Sequence, residues 1–215
     1  MTTASSRFRW YPAGLFLLVA AATLAVASAL DGPIGGTLSR HGISYSYDLY
    51  TMFRLAGYVP LWLVVAAAFV AIDSAAGWRR AWRRGGLLAA PVVLSGAVAE
   101  LLKLAIRRER PGLAAIAYAF RPWHESPFAT AGLGAPSSHS AVAFAAAWTL
   151  SRLYPRASAV WLTIAALCAL SRLARNDHYV SDLAGGALVA YAVVAVLWQW
   201  LAPRGRGLEE SRRSG

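Results

Sequence analysis

The chain has little of what most soluble proteins are built on. Charged residues are only 14% of its 215 positions and hydrophobic ones 58%, against about 25% and roughly 45–50% in an ordinary globular protein. A single cysteine, Cys168, excludes an intramolecular disulfide, and its setting between Leu167 and Ala169 reads as inert packing. The four histidines, His41, His124, His139 and His178, form no H-x-x-x-H or C-x-x-C pattern, so no metal and no other cofactor is expected. Acidic residues number ten against 21 basic ones, a net charge of +11. Lysine is nearly missing too: every basic residue but Lys103 is arginine. A chain both oily and basic is membrane-embedded or an unusual nucleic-acid binder. Apolar runs near twenty residues decide for the membrane, and no nucleic-acid partner is expected.

Six runs are candidate membrane spans: 13–30, 57–75, 87–106, 139–154, 157–173 and 183–201. Each is near the length that crosses ~30 Å of hydrocarbon, the fourth and fifth slightly short. Nothing alternates with period two, which argues against a β-barrel. The expected fold is therefore all-α, a polytopic membrane protein with a six-transmembrane-helix bundle. It forms a single domain over 1–215 with a tail from about 203 to 215. The first run has a second reading. Arg7 and Arg9, an apolar stretch and Ala27-Ser28-Ala29 together resemble a cleavable signal peptide, although the run's length favours a retained anchor.

Basic residues give the orientation. With the N-terminus in the cytoplasm, the inside holds Arg7, Arg9, the cluster Arg79, Arg80, Arg83 and Arg84, then Arg152, Arg156, Arg204, Arg206, Arg212 and Arg213, twelve in all. The outside holds Arg40, Arg54, Arg107, Arg108, Arg110, Arg121, Arg172 and Arg175, eight in all. Trp78 and Trp82 among the clustered arginines fit a cytoplasmic headgroup boundary, and anchoring suffices to explain that cluster. Two outer segments, 31–56 and 112–138, are long and rich in aromatics. Surface packing and a substrate gate account for them equally well.

Three polar clusters stand at the outer ends of the later spans. In the first, Lys103 and Arg110 are seven apart and share a helical face before Pro111 stops the helix. They form either a basic flank snorkelling at the boundary or a pair chosen for phosphate. The second, Pro136-Ser137-Ser138-His139, is a helix start with a serine cap, and equally an anion site. In the third, Ser171 to Asp182, His178 and Asp182 are four apart. One helical turn sets the carboxylate beside the imidazole, where it fixes the tautomer.

Together these clusters resemble the signature of the type 2 phosphatidic acid phosphatase (PAP2) superfamily: K-x6-R-P, then P-S-G-H, then S-R-x5-H-x3-D. The first and third match in full over 103–182, and Ser138 replaces the usual glycine in the second. The resemblance implies a PAP2-type core and a metal-free phosphatase. His178 would attack phosphorus, Asp182 would hold its tautomer, and His139 would protonate the leaving oxygen and later activate water. Lys103, Arg110 and Arg172 would bind the phosphoryl oxygens, helped by Ser137 and Ser138. Asp177 and Arg175 match no family position. A serine at 138 would be strained if the site needs positive φ, and serviceable if only its N–H is used.

Removing Arg110 and Arg172 as functional residues leaves six outer arginines against twelve. The arginine count then predicts a multi-pass plasma (inner) membrane protein with both termini cytoplasmic and its site extracytoplasmic. The implied substrate is a lipid phosphate held in the bilayer: undecaprenyl diphosphate, phosphatidylglycerol phosphate, phosphatidic acid or lipid A phosphate. A lipid phosphotransferase using the same site, or a non-enzymatic transporter of anionic lipids, are the alternatives. Oligomeric state is not legible, because Gly185, Gly186 and Ala190 suit packing within one bundle as well as between copies.

Overall fold

A computed structural model describes residues 13–41, 46–111 and 117–201. Arg7, Arg9, Tyr45 and the tail with Arg204, Arg206, Arg212 and Arg213 lie outside the described residues. Within them the chain is all-helical, with no strand: α1 (Ala13–His41), α2 (Tyr47–Leu55), α3 (Val59–Ala75), α4 (Trp82–Ile106), α5 (Ser138–Leu153), α6 (Ser158–Ala174) and α7 (Val180–Leu201).

The helix ends follow local chemistry. Pro60 in the first turn of α3 needs no partner for its missing N–H. Ser137 caps α5, its hydroxyl accepting the Ser140 N–H at 3.4 Å. Arg107 closes α4 in the left-handed conformation (φ 58°), its N–H bonded to the Lys103 carbonyl at 2.8 Å.

Helix α5 is the axis of the bundle and packs on α4, α6 and α7, while α1 lies on α7, α3 on α4 and α2 on α6. Its alanines make this possible. Ala141, Ala145 and Ala146 are fully buried, and such small side chains let neighbouring backbones approach closely. Gly186 serves the same contact: a Cβ there would run into the Ser137 carbonyl and the Ser140 side chain. Gly186, and Ala190 with no exposure, thus answer to packing within the bundle. Large apolar side chains such as Leu17, Leu18 and Trp200 point outward instead, as they do in a protein surrounded by lipid.

Two expectations about extent are corrected. The segment 31–56 is mostly helix rather than loop: α1 continues through Pro33 to His41, and α2 is amphipathic, burying Tyr50 while exposing Tyr47, Leu49 and Met52. On α1, Asp31 is bonded to Ser181 of α7. Helix α4 also starts earlier than its apolar run, at Trp82. Among the described residues four helices are long and apolar enough to cross a membrane, or five if α2 and α3, bent by 56°, count as one. Helix α5, with 16 residues and about 24 Å long, falls short of that length.

Arg84 is not only an anchor. Its guanidinium grips both oxygens of Asp73 at the end of α3, one at 2.7 Å, and reaches the Tyr154 hydroxyl at 3.0 Å. It also stacks on Trp78 and Phe69. Because Asp73 is only 1% exposed, deleting its partner leaves an uncompensated charge. Arg84→Leu should destabilise the protein by about 3 kcal/mol, with a large part recovered when Asp73→Leu is added. Thermal unfolding in detergent measures this, and an unshifted midpoint in the single variant would refute the role.

Candidate active site

Antiparallel packing gathers the C-terminal ends of α4 and α6 and the N-terminal ends of α5 and α7 at one end of the bundle. Every candidate residue read from the sequence lies at these helix ends. Lys103 is in the last turn of α4, with Arg110 beyond it. Ser137, Ser138 and His139 open α5, and Arg172 is in the last turn of α6. His178 stands in the α6–α7 link, and Asp182 is in the first turn of α7.

His178 is 1% exposed and its Nδ1 is 3.4 Å from Asp182 Oδ2. The same oxygen accepts the Tyr179 N–H at 2.9 Å. Burial holds the imidazole below its ordinary pKa; the positive charges of Arg110 and Arg172 push the same way, and Asp182 opposes them. The loop beneath passes so close that a Cβ on Gly134 would stand 2.8 Å from Asp182 Oδ2. Ser137 ties the starts of α5 and α7 together, its N–H donating to the Asp182 carbonyl at 2.9 Å.

His139 is partly buried, and its Nε2 has no hydrogen-bond partner among the described residues. The Tyr58 ring meets it edge-on at 5.0 Å. Arg172 is 4% exposed; it bonds the Tyr50 hydroxyl and lies 3.0 Å from Asp177 Oδ2. Its Nε is buried and unpaired among the described residues. Lys103 Nζ lies 2.7 Å from Glu100 Oε1 and also bonds the Ser138 hydroxyl, which itself donates to Glu100. Arg110 is exposed, near enough to act electrostatically on His178. Among the described residues no group of three or more His, Cys, Asp or Glu side chains could hold a metal ion.

The end of the bundle thus brings two histidines, a carboxylate and three cations into one neighbourhood. Its composition suits a tetrahedral oxyanion, and buried unpaired nitrogens are where a ligand would bond. The family model of the PAP2 superfamily matches residues 84–206. The chain belongs to the PAP2 superfamily. It is also similar to the crystal structure described as the first transmembrane PAP2 type phosphatidylglycerolphosphate phosphatase from Bacillus subtilis. The TM-score is 0.58 at 25% identity, over 89% of this chain and 96% of that one. No curated protein matches.

In this PAP2 chain the serine that replaces the usual glycine is not strained. Ser138 is the first residue of α5 and is not among the residues with positive φ. Its hydroxyl is used, bridging Lys103 and Glu100.

Sequence reading missed Glu100, Asp31 and Arg108, and gave Asp177 no role. A carboxylate inside an apolar span was a usable signal for Glu100. Arg108 was hidden among Arg107, Arg110 and the topology count. Arg107 itself is structural: its guanidinium binds the carbonyls of Arg121 at 3.0 Å and Pro122 at 2.8 Å, holding the loop after α4.

Gly57 backs His139, and a Cβ there would fall 2.7 Å from His139 Cβ. Displacing a reacting group by about 1 Å costs roughly 100-fold in rate. Gly57→Ala should therefore lower turnover on that scale and also lower the thermal midpoint, because the His139 backbone must shift as well as its ring. Unchanged turnover would show that His139's position is not critical.

Proposed function

We propose that this PAP2 protein is an integral membrane lipid phosphate phosphatase that works through a phosphohistidine on His178, without metal. The observation that carries the reading is the buried His178–Asp182 pair at 3.4 Å, set among Lys103, Arg110 and Arg172 and accompanied by His139.

The chemistry follows from the positions. Asp182 accepts the His178 Nδ1–H, leaving the other ring nitrogen as the nucleophile. It forms the N–P bond in line with the departing oxygen, which takes a proton from His139 as the P–O bond breaks. His139 then removes a proton from water, whose oxygen displaces His178 and releases inorganic phosphate. Lys103, Arg110 and Arg172, with the N–H groups at the start of α5, hold the equatorial oxygens. These fixed cations supply the charge that Mg²⁺ supplies elsewhere.

A site at the end of a lipid-facing bundle suits a substrate whose tail remains in the bilayer. Phosphatidylglycerol phosphate is the first to assay, given the Bacillus subtilis neighbour, followed by undecaprenyl diphosphate, phosphatidic acid and lipid A phosphate. The whole chain, 1–215, acts as one domain with six crossings: α1, the bent pair α2–α3, α4, α5, α6 and α7. Helix α5 makes the short crossing inside the bundle. Both termini are then cytoplasmic and the site extracytoplasmic. Structural employment for Arg107 and Arg108 at the site end strengthens the arginine asymmetry behind this orientation.

Phosphate release from each lipid in detergent tests the reading. His178→Ala should fall to the level of an enzyme-free blank on every lipid the wild type hydrolyses, and turnover retained by that variant would defeat it. The pH profile has a definite sign. Because burial lowers the pKa of His178, the neutral nucleophile persists on acidification until pH passes that lowered value. The acid limb of kcat/KM should therefore lie below about 6.5, the ordinary imidazole value. A limb above it would contradict the buried neutral nucleophile.

A further inference from the structure

Asp182 has two oxygens, and the family motif accounts for one. Oδ2 faces His178 and the Tyr179 N–H; Oδ1 accepts a hydrogen bond from the guanidinium of Arg108. Arg108 lies outside the motif positions and is 9% exposed. The same terminal nitrogen donates to the Ser181 hydroxyl at 2.8 Å. The guanidinium lies against two rings, 4.7 Å from the Tyr118 centroid and 5.3 Å from that of Tyr179. Its carbonyl accepts the Gly134 N–H at 2.7 Å, so its backbone is held as well.

The chain of bonds continues into the first helix. Asp31 on α1 accepts the Ser181 N–H at 2.9 Å and the Ser181 hydroxyl, and takes the Tyr118 hydroxyl at 2.7 Å. The guanidinium is thus paired directly with Asp182 and linked to Asp31 through the Ser181 hydroxyl. An isolated buried carboxylate would exert its full charge on the imidazole beside it, because low-dielectric surroundings screen little. A guanidinium on the far oxygen takes up part of that charge and fixes the plane of the carboxylate.

We propose that Arg108 is a positioning residue for phosphoryl transfer, locking the Asp182 carboxylate against His178 and moderating the charge that Asp182 exerts on it, with Asp31 on α1 and Ser181 on α7 holding this arrangement. The inference rests on the reading of His178 as nucleophile. Arg108 acts through Asp182, to which its terminal nitrogen is bonded. The other charged or titratable groups around the pair are Lys103, Arg110, His139, Arg172 and Tyr179, and the variants below leave all of them in place.

The experiment is a pH–rate profile for wild type, Arg108→Gln, Arg108→Lys and Asp31→Asn on the lipid that the wild type turns over best. In Arg108→Gln the full charge of Asp182 falls on His178, and the acid limb of kcat/KM should rise by about one pH unit. At the plateau kcat should drop and KM stay within about twofold, because no phosphate contact is lost. Arg108→Lys should bring the limb back toward wild type. Asp31→Asn removes a negative charge linked to Arg108 through the Ser181 hydroxyl and should move the limb the other way, downward, which keeps the inference testable if Arg108→Gln does not fold. Two results would overturn it: limbs unmoved in both Arg108→Gln and Asp31→Asn, or a loss in Arg108→Gln confined to KM. An active His178→Ala protein would instead sink the nucleophile reading. A dead His178→Ala with unmoved limbs would sink only the role of Arg108.

Discussion

Asp182 is a carboxylate with no exposure, placed in the first turn of a helix at one end of a lipid-facing bundle. A buried charge of that kind is tolerable only when its lone pairs are used and a counter-charge is near. Much of the local architecture serves this requirement. Arg108 comes from beyond α4, the Tyr179 N–H turns inward from the preceding loop, and His178 completes the set one helical turn away. Gly134 leaves room for the carboxylate where any side chain would collide. Because the partners come from two segments, the stretch after α4 and the link before α7, the requirement also fixes how these two meet.

The second constraint is the width of α5. Three neighbours crowd around it, and its alanines together with Gly186 on α7 let the backbones come close. Close approach at the start of α5 brings His139 and the Ser137–Ser138 turn within reach of Lys103 and Asp182. At the far end, Arg84 joins α3, α4 and α5 through Asp73 and Tyr154. The bundle therefore carries a polar clasp at each end and small or apolar contacts between them. This division suits a fold whose outer surface meets hydrocarbon.

Much of this was legible because membrane spans write themselves in long apolar runs, and because Lys103, His139, Arg172, His178 and Asp182 all fall at span ends. Alternating helix direction then brings such ends together, so the gathering of these candidate residues was legible even though the number of spans was not. What hid was tertiary. Asp31 read only as the start of an outer segment because its partner, Ser181, lies 150 residues away in sequence. Arg84 and Arg108 disappeared into tallies of positive charge, since a guanidinium paired with a buried carboxylate has the same letter as one resting among headgroups. Ser138 was ambiguous until its backbone conformation was known: the helix start uses no positive φ there, so serine fits and gains a bond.

The central claim is that a phosphoryl group passes through His178. Rapid quenching of the enzyme turning over a lipid labelled in its terminal phosphate, followed by peptide mapping under alkaline conditions that preserve phosphohistidine, tests it directly. Label on the peptide carrying His178, appearing and decaying at rates that support turnover and absent from His178→Ala, is the expected result. Label on another residue, or phosphate release at the full rate with no labelled enzyme at any time, would contradict the account.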